Sequence, residues 1–225
     1  MKLTYYGQSC LQLEISGKKV LFDPFISHNP LAKDIDISNL KPDYILLSHG
    51  HGDHIGDLVT IQKNSGAQVV CIADIVGWLN KQGVEKVAGM NIGGNFKMEF
   101  GNVKMVVAIH SSGLPDGSYG GNPAGFVITT ADKKIYFAGD TALTYDMKLL
   151  EDENLDWAIL PIGDYYTMGV DDAIKAAGFV NCKKVVGIHY DSFPVIKIDK
   201  GEAKAKFTKA GLNLSLPGIG ETIDL

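Results

Sequence analysis

Residues 43–57 read "DYILLSHGHGDHIGD", an apolar run that stops at a serine and passes into three histidines and two aspartates spaced by glycine. "DYILL" has the pattern of a buried strand, so His49 opens the loop at that strand's C-terminal end. Gly50 and Gly52 are expected to let the backbone turn tightly, through conformations closed to other residues, so that His49 and His51 point the same way. Asp53 and His54 then fall at the start of the following helix. Neutral imidazoles beside carboxylates suit zinc, manganese, iron or nickel better than calcium. A solvated glycine-rich turn is the plain alternative. The chain has six histidines in all, and half of them standing in one such stretch favours a corner of a metal site.

Outward from this stretch, His110 ends the run "VKMVVAIH", Asp140 ends "KKIYFAGD" and His189 closes "KKVVGIH". Each stands at the C-terminal end of an expected strand, where the loops of an α/β sheet form the usual ligand crevice. Any one of these histidines alone would read as an ordinary core residue. With the cluster they make five histidines and two aspartates, enough for two metal ions that each keep an open position. Two cations roughly 3.5–4 Å apart share a water, lower its pKa towards neutrality and stabilise the oxyanion formed when it attacks. Asp53 is placed to orient that hydroxide as well as to bind.

The rest of the chain repeats short apolar, β-branched or aromatic runs bounded by turn residues: "LTYYG", "CLQLEI", "KKVLFDPF", "AQVVCIA", "GFVITT" and "DWAILPIG", besides those already quoted. These read as strands. Helix-like stretches cover 55–63, 74–81, 170–177 and 202–209, and strands interleaved with helices indicate an α/β protein. "GKKVLFDPF" followed by "KPDYILLSHG" resembles "DKKIYFAGD" followed by "NLDWAILPIG". Two related halves breaking near residues 110–125 would explain the echo, and chance similarity of apolar strands is the competing account. No linker interrupts the chain, so 1–225 reads as a single domain.

The 225 residues carry a net charge of −5, with 45% hydrophobic and 21% charged residues. That is ordinary for a globular protein with a substantial core, and it shows no electrostatic footprint for nucleic acid or anionic membranes. The N-terminus has no secretory pattern, and no apolar run is long enough to span a bilayer. Cys10, Cys71 and Cys182 are odd in number and far apart, which argues against a disulfide framework. A cytoplasmic protein with a small-molecule substrate is expected, and a homo-oligomer is compatible with the sequence.

The signature H-x-H-x-D-H, present as His49-Gly50-His51-Gly52-Asp53-His54, resembles that of the metallo-β-lactamase superfamily. His110, Asp140 in "AGDT" and His189 match its further elements. "LFDPFISHNPLA", "HSSGLPDG", "GGNPAGFVI", "LPIGDYYTMGVDDA" and "IHYDSFPVI" are similar to one branch, small metal-dependent hydrolases with the L-ascorbate-6-phosphate lactonases as relatives. The resemblance implies an αββα sandwich of two similar halves. It also implies that His49, His51 and His110 hold a first metal, and Asp53, His54 and His189 a second, with Asp140 bridging. Zinc is the expected ion, with manganese, nickel or iron as alternatives. The implied reaction is attack of a metal-bound hydroxide on an ester, lactone or amide of a small metabolite.

Beyond the ligands, Asp23 ends a strand where it could orient a ligand histidine, or simply terminate a turn. Asp57 reads as a first-turn helix carboxylate favoured by the macrodipole. Asp164, Tyr165, Tyr166, Met168, Tyr190 and Phe193 follow strand ends and could wall a pocket, although packing accounts for most such aromatics. Two positions depart from the branch. Gln8 stands where many relatives carry histidine, and its amide could donate to a substrate oxygen. His28 stands where they often have a small residue, and reads as a surface loop histidine. A phosphodiesterase or nuclease of the same superfamily is disfavoured by the acidic pI and by the short interval between Asp140 and His189. A di-iron redox role is disfavoured because His51 stands where such members carry glutamate. A non-catalytic binding protein would be expected to have lost ligands.

Overall fold

The computed structural model describes all residues, Met1–Leu225. The chain forms fourteen strands, numbered along it, and divides into two compact units. The first unit comprises Met1–Ile92, Ser111–Pro123 and Pro217–Leu225; the second comprises Gly93–His110 and Ala124–Leu216.

The first unit holds β1 (Lys2–Gly7), β2 (Cys10–Ile15), β3 (Lys18–Phe22), β4 (Tyr44–Leu46), β5 (Gln68–Ile72), β6 (Val87–Met90) and β14 (Thr222–Asp224). They form one sheet in the order β14-β1-β2-β3-β4-β5-β6. The pairs from β14 to β3 are antiparallel and those from β3 to β6 parallel. Two helices, α1 (Gly52–Ile55) and α2 (Leu58–Ser65), connect β4 to β5, and α3 (Ala73–Lys81) connects β5 to β6.

The second unit holds β7 (Asn95–Met98), β8 (Gly101–Val107), β9 (Ala124–Thr129), β10 (Lys134–Phe137), β11 (Trp157–Pro161), β12 (Lys184–Ile188) and β13 (Asn213–Ser215). Its sheet runs β7-β8-β9-β10-β11-β12-β13, antiparallel from β7 to β10 and parallel from β10 to β13. Helix α4 (Val170–Phe179) follows β11 and α5 (Lys200–Lys209) follows β12. Helix α5 starts on Asp199, whose side chain accepts from the Glu202 amide at 2.9 Å, and buries Ala203 and Phe207 one turn apart.

The two units therefore repeat one pattern, three antiparallel pairs and then three parallel ones, with β3–β4 matching β10–β11. The sequence echo is a structural repeat. Its break lies between β6 and β7, at Ile92 and Gly93, rather than near residues 110–125 as expected, and residues 111–123 return to the first unit. The central parallel strands are buried throughout, as at Tyr44–Leu46 and Trp157–Pro161, which is why they read as unbroken apolar runs. The expected helix over 55–63 is two helices. The Asp57 amide donates to Pro24 O at 2.9 Å, and the Asp57 backbone (φ −101°, ψ 0°) leaves the helical path there. Two seven-stranded mixed sheets flanked by helices make an α/β protein, as expected.

Candidate functional site

In the first unit the donor residues gather on one buried carboxylate. Asp23, directly after β3, is fully buried, as are His49 and His54. Asp23 accepts the Ser48 amide at 2.7 Å on Oδ1, and on Oδ2 it accepts the Ser48 hydroxyl at 2.6 Å and His54 Nδ1 at 2.8 Å. A carboxylate only accepts, so the Ser48 proton points to Asp23 and the His54 proton sits on Nδ1. The Ser48 oxygen is then the acceptor for His49 Nδ1, 2.9 Å away. This assignment follows from the hydrogen-bond network. Both imidazoles are thereby set in the tautomer that leaves Nε2 as a lone-pair donor. Ligand atoms of Asp23, His49 and His54 lie within 4.8 Å of one another, with Asp23 engaged by protein donors.

The loop that follows is anchored by Ser112, whose hydroxyl donates to Gly120 O at 2.9 Å and accepts the Gly50 amide at 3.1 Å. His49 Nε2 comes within 2.9 Å of His51 Nδ1, and His51 Nε2 lies 3.3 Å from the Ser111 hydroxyl. Neither Gly50 nor Gly52 has a positive φ, contrary to expectation. A Cβ at Gly50 would lie 3.0 Å from Leu114 Cδ2, close enough that the leucine would have to give way by a few tenths of an ångström, whereas one at Gly52 would meet nothing within 4 Å. Asp53 and His54 lie on α1 as expected. The Asp53 side chain is 27% exposed and its Oδ2 is 3.6 Å from His54 Nε2.

In the second unit Asp140 plays the central part. It is 2% exposed, with Oδ2 at 2.9 Å from His189 Nε2 and 3.7 Å from His110 Nε2. His189 adopts φ 55°, in the left-handed region that histidine tolerates better than most residues. The carbonyl of His189 packs so closely on Gly163 that a Cβ there would overlap it. Buried Thr141 joins the strand ends: its hydroxyl accepts the Ile109 amide at 3.0 Å and its carbonyl accepts the Met168 amide at 3.1 Å.

The remaining expectations divide. Asp57 does stand at a helix start, as the N-cap of α2, but its side chain makes no cap hydrogen bond. It is 4% exposed, and its Oδ2 accepts the Ile26 and Ser27 amides at 2.6 and 2.9 Å, tying down the loop after β3. Gln8 donates to Asp53 Oδ2 at 2.9 Å, so one of its two amide hydrogens is committed within the protein. His28 is exposed. Tyr190 is buried with Lys200 Nζ 5.2 Å above its ring, a packing role. Tyr165 and Tyr166 are 71% and 54% exposed and meet edge to face, so packing does not explain them. Ser48, Ser112 and Thr141 were not singled out from the sequence, because single hydroxyl residues carry no distinguishing pattern.

The donor set fits a divalent transition cation: imidazoles with fixed tautomers, carboxylates beside them, and a buried outer carboxylate holding the rings. Thiols take no part. Burial pushes Cys10 upward and raises Cys71 to about 12, so both are neutral near pH 7.

A family model described as "Beta-lactamase superfamily domain" matches residues 18–190. A UPF0173 metal-dependent hydrolase of Flavobacterium johnsoniae is 53% identical over 226 residues, covering all of both chains. Another of the same name from Christiangramia forsetii is 54% identical over 227 residues, again over both full lengths. Among solved structures, Igni18, a metallo hydrolase from the hyperthermophilic archaeon Ignicoccus hospitalis, is 35% identical with a TM-score of 0.88, covering 99% of this chain and 97% of that one.

Proposed function

The chain belongs to the UPF0173 metal-dependent hydrolases of the metallo-β-lactamase superfamily, and from that premise we propose that it is a dinuclear enzyme cleaving an ester, lactone or amide bond of a small metabolite. The observation that carries this reading is the Asp23 network, which fixes His49 and His54 as Nε2 donors. In this reading His49, His51 and His110 would hold one cation and Asp53, His54 and His189 the other, with Asp140 completing the donor set. Zinc is the ion that this donor set favours, and lactonase-like chemistry the closest analogy.

Two bound cations would supply Lewis acidity, polarising the substrate carbonyl and making water acidic enough to react near neutral pH. Asp53, the partly exposed carboxylate of its cluster, holds the nucleophile's proton and returns it to the leaving group. Asp140 and Asp23 keep the imidazoles in register. Tyr165 and Tyr166, exposed on the loop after β11, contact the non-reacting part of the substrate. No helix is long and apolar enough to cross a membrane. The three free, buried cysteines and the net charge of −5 support a cytoplasmic setting and a substrate other than nucleic acid.

The test is elemental analysis of the purified protein with a panel of lactones, esters, acyl amides and phosphodiesters. Two transition-metal ions per chain, fewer in His51→Ala, and carbonyl-ester hydrolysis lost in Asp53→Ala are expected. Less than one tightly held ion, unchanged in His51→Ala, would overturn the dinuclear reading. Activity confined to phosphodiesters would overturn the substrate class.

A further inference from the structure

Gln8 is a buried residue whose conformation and burial both run against stability. It is 0% exposed, yet its backbone sits at φ 54° in the turn between β1 and β2, a region that glycine occupies at lower cost. Its Oε1 is buried with no hydrogen-bond donor, an uncompensated desolvation. An apolar side chain of similar size would remove that defect and leave the packing intact. What it would also remove is the one hydrogen bond the amide makes, from Nε2 to Asp53 Oδ2 at 2.9 Å. Turning the amide over would set Oε1 against a carboxylate oxygen, so Asp53 fixes the amide's orientation.

The turn that delivers this amide is held from both sides. The Tyr5 hydroxyl donates to the Gln8 carbonyl at 3.0 Å. Gly7, at φ 99°, packs so closely that a Cβ would lie 2.5 Å from Asn29 Nδ2 and 2.7 Å from Ile219 Cδ1. A strained conformation kept by its surroundings, carrying a buried polar group aimed at a functional carboxylate, is the pattern of a residue retained for a site rather than for the core.

We propose that Gln8 is a positioning residue for hydrolysis, its Nε2 pinning Oδ2 of Asp53 and thereby fixing the rotation of that carboxylate. The inference rests on the part given to Asp53 above. The bond fixes which way the carboxylate faces, with the held oxygen, Oδ2, 3.6 Å from His54 Nε2. The residue acts through Asp53 and touches no reacting atom.

The experiment compares Gln8→Leu, Gln8→Asn and Asp53→Ala with the wild-type full-length chain. Gln8→Leu removes the donor at nearly constant volume. Gln8→Asn keeps an amide and tolerates positive φ, but is one methylene too short to reach Asp53. Metal-free and cobalt(II)-loaded proteins are melted, titrated with cobalt(II) and recorded in the visible region, and kcat and KM are measured with zinc on the best substrate of the panel. Both Gln8 variants should keep the wild-type cobalt stoichiometry, show a changed cobalt(II) d–d band, and lose about tenfold in kcat with KM within about twofold. A merely structural role would lower the melting temperature of the metal-free form and leave the cobalt band alone. Wild-type kcat and an unaltered cobalt band in Gln8→Leu, or in Gln8→Asn if the leucine variant does not fold, would overturn the proposal. If Asp53→Ala is inactive while the Gln8 variants match wild type, only the Gln8 inference fails; if Asp53→Ala is fully active, the reading of Asp53 fails with it.

Discussion

A carboxylate with no exposed surface has to be matched by donors, and Asp23 is matched by the Ser48 amide, the Ser48 hydroxyl and His54 Nδ1. Through the serine it also sets the tautomer of His49. Asparagine at this position could replace only one of the two acceptor oxygens, and its amide hydrogens would oppose either Ser48 or His54. Asp23→Asn is therefore expected to weaken metal binding by about 10–100-fold, read by competition with a chromophoric chelator, with the secondary structure by circular dichroism unchanged. Wild-type affinity in this variant would show that the histidine tautomers are set elsewhere. The sequence offered Asp23 two roles, orienting a ligand histidine or closing a turn, and spacing alone could not separate them. Asp57 was read as a first-turn helix carboxylate, and it does stand at the start of α2, but its side chain is used elsewhere. Its carboxylate serves the Ile26 and Ser27 amides, because the loop after β3 needs an acceptor that no local pattern announces.

At the level of elements, the ten strands legible in the sequence are those with long apolar runs. The four that were not, β6, β7, β13 and β14, are the four edges of the two sheets. Edge strands are short and half solvated, as at Asn95–Met98 and Thr222–Asp224, so they lose the alternation or apolar run by which a strand is recognised. The contact between the segments that follow β11 and β12 makes a prediction of its own. Gly163→Ala would drive a methyl group into the carbonyl of His189, in a residue already at φ 55°. The variant should fold but lose at least about tenfold in kcat/KM, and hold fewer than the wild-type number of metal ions by elemental analysis. Gly52→Ala, with open space at its Cβ position, is the control and should keep wild-type metal content.

Across the whole molecule, the buried ionisable groups set an alkaline limit. Burial raises Cys71 from 9.0 to about 12 and Tyr6 from 10.0 to about 12, and pushes Cys10 and Tyr136 upward as well. Well below the ordinary thiol value of 9.0 these groups are protonated in both folded and unfolded chains and contribute no pH dependence. As pH rises towards and past that value the unfolded chain releases protons that the folded chain retains, so stability falls as pH rises. Melting temperatures should be level from pH 7 to about 8.5 and decline beyond it, less steeply in Cys71→Ala; a flat profile to pH 10.5 would contradict the assignment. The sequence by itself determined the α/β class and the set of candidate ligands, written in hydrophobic period and in spacing along short stretches such as His49–His54, and its motifs carried the resemblance to the hydrolase family. The repeat of two halves it left open against chance similarity. Only the tertiary structure decided which imidazole nitrogen is presented, where the repeat divides, what Asp57 holds and that Gln8 is turned onto Asp53. The side-chain outcomes depend on hydrogen bonds between residues 25 to 45 positions apart, and the division of the repeat on which strands pack together; a pattern read along the chain reaches neither.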